Sequence, residues 1–494
     1  MVQKRIIKVL LVLLSAMMAV TVLAKLSAKS WLGTNESFKY GFSLPGAALI
    51  LLLALIVLLI FAGVFMLSKN PKYQGWLRFG ILAMIVLVMV GGTIVIPFKP
   101  VFDSLAVNQQ AVRLAEGHLQ WPEYFSVFGN NVAITLLLAA LDWPVHTLIN
   151  TPEHWLLYNA LIGQVLTFLS IYTLGDLVRR YVSERAEILF FLATLGMPVY
   201  LVQFGQVAYS DNIGWALAIF GIALILNAFE RKGSRFILPA LGGALLLGLA
   251  ILVRANVAVV VVVIIGGLLL TQLSEWRKTL VLVLLIVIGL LGAQQAIKAG
   301  ETFTQYNPKT TAEMPLESWF LTAYYDGGRN GEAINEITDK YTNYDQRKAY
   351  IRKMLMKKID KMGPIGVIEL WRSKTNILYG WSTDFGMDNF RKFRTAQEKS
   401  THYFNKLMKK IIVISQATMT AMMVGTIFIW LVPIGESKAR TSFVVLIAGF
   451  FVAMTYFYVL LWEVQENYAM MPILPLLITG VIGWQALWNR VQRK

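Results

Sequence analysis

Two acidic residues stand where apolar segments of this chain give way to polar sequence, and their placement is the first sign of chemistry. One is Asp103, in Pro97-Phe98-Lys99-Pro100-Val101-Phe102-Asp103-Ser104. The other is Asp211, in Gln206-Val207-Ala208-Tyr209-Ser210-Asp211-Asn212. A carboxylate at a membrane exit is costly unless solvated or paired, which makes such a residue a functional candidate. A carboxylate within hydrogen-bond reach can take the proton of an attacking hydroxyl, and Asp103 is the candidate for that base. Asp211 could hold a divalent cation, magnesium or manganese, or a basic partner beside a phosphate. The ordinary alternative is the same for both: Asp is a good helix N-cap, and each precedes a helical pattern. Facing one water–lipid boundary together, they point to a reaction on a lipid-linked substrate.

Arg254 is the third candidate. It interrupts an apolar run between Val253 and Ala255, and its guanidinium could grip a phosphate through two nitrogens. Snorkelling to the interface is the alternative. Arg372 and Lys374, in a long polar segment, are weaker candidates of the same kind. The histidines His118, His146, His154 and His402 lack metal-ligand spacing. No phosphate-binding loop, dinucleotide fingerprint or Gly-x-Ser-x-Gly elbow stands in a supporting context. The chain has no cysteine, which excludes disulfides, thiolate metal sites and cysteine nucleophiles.

The elements that must position these residues are membrane helices. The 494 residues are 57% hydrophobic, and many stretches reach the ~18 apolar residues that a crossing helix needs. The expected fold is an all-α polytopic membrane protein of about twelve spans. These begin near Ile6, Ala47, Phe79, Leu156, Ile188, Ile213, Phe236, Ala255, Leu280, Ile411, Phe443 and Ala469. The net charge of +17 fits topology better than nucleic acid, because basic clusters flank alternate span ends. Lys4-Arg5, Lys69-Lys72-Arg78, Arg179-Arg180, Arg231-Lys232-Arg235, Arg277-Lys278, Lys438-Arg440 and Arg490 all fall inside if both termini are cytoplasmic. Asp103, Asp211, Arg254 and the segment Glu463 to Tyr468 then lie outside; Lys25, Lys29, Lys409 and Lys410 run against the trend. The first apolar stretch has no small-x-small cleavage site and is read as a retained span.

Keeping that alternation requires Val132 to Leu141, an apolar stretch ended by Asp142-Trp143-Pro144, to lie at the outer interface and not to cross. Residues 1–299 then form a transmembrane core with an outer loop at 100–155 holding two short helices. Residues 300–406 form an extracytoplasmic loop domain, and 407–494 the C-terminal spans. Within the loop domain, Asp345 to Met362 reads as a basic amphipathic helix ended by Gly363-Pro364. Its apolar face suits either anionic lipid heads or the membrane domain.

Four stretches carry a resemblance to known enzymes. They are Pro97 to Gly117 with Asp103; Phe128-Gly129-Asn130-Asn131 through Leu138 and on to Glu153-His154-Trp155-Leu156; Pro198 through Tyr209-Ser210-Asp211; and Trp462-Glu463-Val464-Gln465-Glu466-Asn467-Tyr468 followed by Pro472 and Pro475. In order and sidedness they resemble the membrane-embedded glycosyltransferases of the GT-C class, in particular bacterial enzymes that use polyprenyl-phosphate sugars. The resemblance implies a catalytic role for Asp103 and a site-shaping or cation-holding role for Asp211. It also implies a polyprenyl-phosphate sugar donor, a glycan or polymer acceptor of the cell envelope, and a bacterial plasma membrane. Tyr209, Asp211, Arg254 and Lys374 are the expected substrate-binding residues, Asp211 the expected cation ligand. The chain departs from the class in two ways: two spans precede the usual first one, and Asn467 stands where members often carry arginine. A secondary transporter or lipid flippase is the alternative of another class. It predicts two similar halves and a site near mid-span. A membrane acyltransferase would call for a histidine inside a span, and none is there.

Overall fold

A computed structural model describes residues 2–26, 46–96, 98, 100–149, 155–309, 313–328, 337, 343–380, 385, 401–434 and 437–492. The elements are helices, with no strand among the described residues. The chain opens with α1 (Val2–Leu26), α2 (Gly46–Leu67) and α3 (Pro71–Val95). Three short elements follow at the first acidic exit: α4 (Phe102–Ala115), α5 (Tyr124–Val127) and α6 (Val132–Ile149). Then come α7 (Trp155–Tyr181), α8 (Glu184–Leu195), α9 (Pro198–Val202), α10 (Ser210–Glu230), α11 (Ile237–Val253), α12 (Ala258–Thr271) and α13 (Trp276–Phe303). The long polar segment contributes α14 (Glu317–Tyr324) and α15 (Tyr344–Tyr379), and the chain ends with α16 (Thr401–Ile427), α17 (Lys438–Tyr456) and α18 (Ile473–Val491).

Nine helices among the described residues are long and apolar enough to cross a membrane. A tenth arises if α8 and the Pro198–Gln206 segment, bent by 73°, count as one span. The expectation of about twelve therefore stands only in part. Helices occur at all twelve expected places, but α12 is short, and the second half of α18 carries Gln485, Asn489 and Arg490, which dilute its apolar character. Outward-facing Leu52, Leu59, Leu284 and Ile288 are more than half exposed, as expected of helices solvated by lipid.

Local chemistry sets the helix starts. Asn70 caps α3 by accepting from the Lys72 N–H, with Pro71 at the first turn, and Ser183 and Ser437 cap α8 and α17 in the same way. Helix α3 thus begins before the apolar run, and Arg78 lies within it, paired with the buried Glu187 of α8 at 3.1 Å. Close crossings need glycine: a Cβ on Gly483 of α18 would sit 1.9 Å from the Gly425 carbonyl oxygen of α16.

Three expected boundaries move. Helix α6 runs through Pro144 to Ile149 instead of stopping at Leu141. Helix α13 continues past residue 299 to Phe303. The amphipathic helix does break at Gly363, which has φ 60°, but a second helical stretch follows at once and reaches Tyr379. Its apolar face is occupied within the protein: Ile351 packs with Leu321 and Ile337 in a small separate core.

Candidate functional site

The two acidic motifs are built alike. Tyr209 stands at the cap of α10, and its backbone N–H donates to Asn212 Oδ1 at 3.0 Å, leaving Asp211 in the first turn. Val101 stands at the cap of α4, and its N–H donates to Ser104 Oγ at 3.1 Å, leaving Asp103 in the first turn. Neither aspartate is therefore the N-cap that the sequence allowed; each sits two residues past the cap, at the positive end of the helix dipole. Phe102, just before Asp103, has φ 50° and is 81% exposed. That left-handed conformation is strained for a bulky side chain.

Buried amides fasten the motifs together. Asn108 of α4 donates to its own Ser104 carbonyl and to the Ala208 carbonyl, both at 2.8 Å, and accepts from Asn159 of α7 at 2.7 Å. A second chain of hydrogen bonds runs toward Asp103. The Tyr209 hydroxyl donates to Asn131 Oδ1 at 3.1 Å, Asn131 Nδ2 donates to the Tyr124 hydroxyl at 2.6 Å, and Tyr124 is bonded to the Asp103 carboxyl. With its oxygen accepting from Asn131, the Tyr124 proton is directed at Asp103. Burial and the Asp103 charge hold the Tyr124 hydroxyl far above the ordinary tyrosine value, so it stays a donor. Asp103 is open to solvent on one side. The protein packed around it raises its carboxyl above the ordinary carboxylate range, and Tyr124 and the Arg254 charge offset that only in part.

Arg254 follows the last turn of α11 and pairs with Asp211 at 2.9 Å; it also reaches Ser210 Oγ at 3.5 Å and lies over the Tyr468 ring at 5.3 Å. The negative charge that holds Arg254 at this helix end is thus Asp211. Its Nε is enclosed without a well-formed hydrogen bond, and the Tyr458 hydroxyl lies within bonding reach of the guanidinium. Tyr468 donates to Glu463 Oε1 at 2.6 Å. Burial raises the Glu463 carboxyl, against Tyr468 and Arg254, and the Asp103 charge raises it further. Lys374 of α15 is fully buried and donates to the Trp462 carbonyl. Burial lowers its ammonium to about 7, with Glu463 opposing. Gly328 shapes this corner: it has φ 87°, its carbonyl accepts from the Val464 N–H at 2.7 Å, and a Cβ there would meet Lys374 Cδ at 2.8 Å.

Asp103, Tyr209, Asp211, Arg254 and Lys374 therefore converge on one end of the helix bundle. Arg372 does not; it is exposed on α15. The sequence reading missed Tyr124, Asn131, Asn108 and Asn159, and gave Glu463 no role. Of the histidines, His118 is 65% exposed with Glu116 as its partner at 3.9 Å, while His154 and the side chain of His402 lie outside the described residues. Among the described residues no three His, Cys, Asp or Glu side chains are grouped to hold a metal ion. A cation at Asp211 would have to open or share its pair with Arg254. A cavity of about 520 Å³ adjoins the network, with Gln110, Arg113, Phe125 and Trp155 in its wall and Tyr124 between it and Asp103.

Compared with protein-family models, with curated proteins and with solved structures, the chain matches none.

Proposed function

We propose that the protein is a membrane-embedded glycosyltransferase that moves a sugar from a polyprenyl-phosphate carrier to a hydroxyl of a cell-envelope glycan or polymer. The observation that carries this reading is the directed chain Tyr209–Asn131–Tyr124–Asp103, which ends on a carboxyl open to solvent and faces a fixed guanidinium. In this reading the Asp103 carboxylate takes the proton of the acceptor hydroxyl. The freed oxygen attacks the anomeric carbon, the bond from that carbon to the phosphate oxygen breaks, and polyprenyl phosphate leaves with the electron pair. Such a leaving group needs positive charge more than a proton. Arg254, held by Asp211, would face the phosphate with its positive charge, with Lys374 behind it. One displacement of this kind inverts the anomeric centre, as single displacements do in inverting glycosidases.

The GT-C resemblance of the four stretches supports the same reading, and so does the position of the site at helix ends. A transporter or flippase would gather its polar groups near mid-span between similar halves.

The test is Asp103→Asn in purified protein, supplied with polyprenyl-phosphate hexoses and envelope glycan. Loss of a positioned base costs about 10²–10⁴ in rate. Transfer should fall by that factor while donor binding holds, and the wild-type product should carry the configuration opposite to the donor. Transfer by the variant at near the wild-type rate would remove Asp103 as the base.

A further inference from the structure

The far end of the bundle carries a second built site. Helices α16, α17 and α18 meet there around the turn Phe428–Leu431, and between them lies a cavity of about 300 Å³. That volume is at the small end of the range for ligand sites. Its lining is divided. Leu431 and Ile482 belong to the apolar part, while Arg440 at the start of α17 and Gln485, Asn489 and Arg490 at the end of α18 supply the polar part. A third cation stands beside it. Lys8 of α1 donates to the Trp430 carbonyl and lies 5.7 Å from the Trp430 ring, one residue before the lining begins. Gln485 is held by Ser183 at 3.0 Å, which fixes one wall.

Two guanidiniums and two amides over an apolar floor, at the level where helices leave the bilayer, match a phosphate group with hydrocarbon attached. Arginine forks meet phosphate oxygens two at a time, and basic pockets between helix ends favour anionic head groups. We infer that this cavity binds the phosphate of a phospholipid in the leaflet opposite Asp103, with Arg440 and Arg490 as the phosphate-holding residues. The inference rests on this cavity alone and holds whatever reaction the Asp103 face performs.

The experiment uses the full-length protein in detergent, with phosphatidylglycerol or phosphatidylcholine added and retained lipid counted by native mass spectrometry. Inorganic pyrophosphate is added in a parallel series. Wild type should retain phosphatidylglycerol over phosphatidylcholine. Arg490→Gln, an exposed change at a helix end, and Arg440→Gln should each weaken that retention by about tenfold, the scale of one lost charge-assisted contact. Lys69→Gln, basic on the same face but outside the cavity, should not. If pyrophosphate displaces the lipid in wild type but not in Arg490→Gln, the phosphate subsite stands and a soluble phosphate also has access to it. Equal retention of the two lipids, or unchanged phosphatidylglycerol retention in both arginine variants, overturns the inference.

Discussion

At the scale of single residues, the site depends on how the Asp103 carboxyl is tuned. Burial raises it; the Tyr124 hydrogen bond and the Arg254 charge oppose that by favouring the charged form. In the proposed reaction the base works only deprotonated, so transfer should rise with pH through the Asp103 titration. Tyr124→Phe removes a donor to the charged form and should move that acid limb toward higher pH. A hydrogen bond to a charged group is worth about 1.5–3 kcal/mol, so the limb should move by about one to two pH units. The profile of kcat/KM against pH measures it, and an unmoved limb would show that Tyr124 does not act on the base. Asp103, Asp211 and Arg254 were legible in the sequence because a charge beside an apolar run is conspicuous. Tyr124, Asn131, Asn108 and Asn159 were not. Neutral side chains at helix ends carry no pattern of their own, and their roles arise only when α4, α5, α7 and α10 meet. The pairing of Arg254 with Asp211 was hidden for the same reason, since 42 positions' worth of chain and a full helical hairpin separate residues that end 2.9 Å apart.

At the scale of elements, the apolar runs located the helices, while polar residues continuing a helix blurred the ends. Pro71 to Arg78 extend α3 before its apolar run, and α6 tolerates Pro144, which forfeits a hydrogen bond without ending the helix. The continuation of α6 matters because it buries Asp142 against α7. Both Asp142 oxygens are enclosed without a well-formed hydrogen bond, although Asn159 lies within reach. Burial raises the carboxyl to about 7, with Asn159 opposing. The folded protein then keeps a proton that the unfolded chain releases near pH 4. Stability should fall as pH rises from about 4 to about 7. Asp142→Asn keeps the shape and removes the titration. It should flatten that part of the curve and raise the melting temperature at pH 8 relative to wild type. Thermal unfolding from pH 4.5 to 8 checks this. A variant less stable than wild type at pH 8 would mean that the Asp142 charge is welcome where it sits. Because Asn159 also holds Asn108, and Asn108 holds the turn at Ser104 and Ala208, the same region ties the loop helices to the acidic motifs.

At the scale of the whole molecule, the bundle has two unlike ends. One gathers Asp103, Asp211, Glu463, Arg254 and Lys374, three carboxylates against two cations. The other gathers Lys8, Arg440 and Arg490, with Lys69 beside the last helix at 3.1 Å from Gln492, and the start of α1 and the end of α18 lie there. An excess of Lys and Arg belongs on the cytoplasmic side of a membrane, so the Asp103 end should face out, as the proposed donor and acceptor require. The absence of cysteine makes this testable one residue at a time. Ser104 is a poor reporter because it is 4% exposed. Gln109, exposed on the Asp103 helix, and Lys232, exposed in the basic turn after α10, are suitable. In intact bacterial cells, Gln109→Cys should react with a membrane-impermeant maleimide and Lys232→Cys should not. After permeabilisation both should react. If Lys232→Cys labels in intact cells while Gln109→Cys does not, the site faces the cytoplasm. An envelope acceptor would then be out of reach, however well Asp103 is poised.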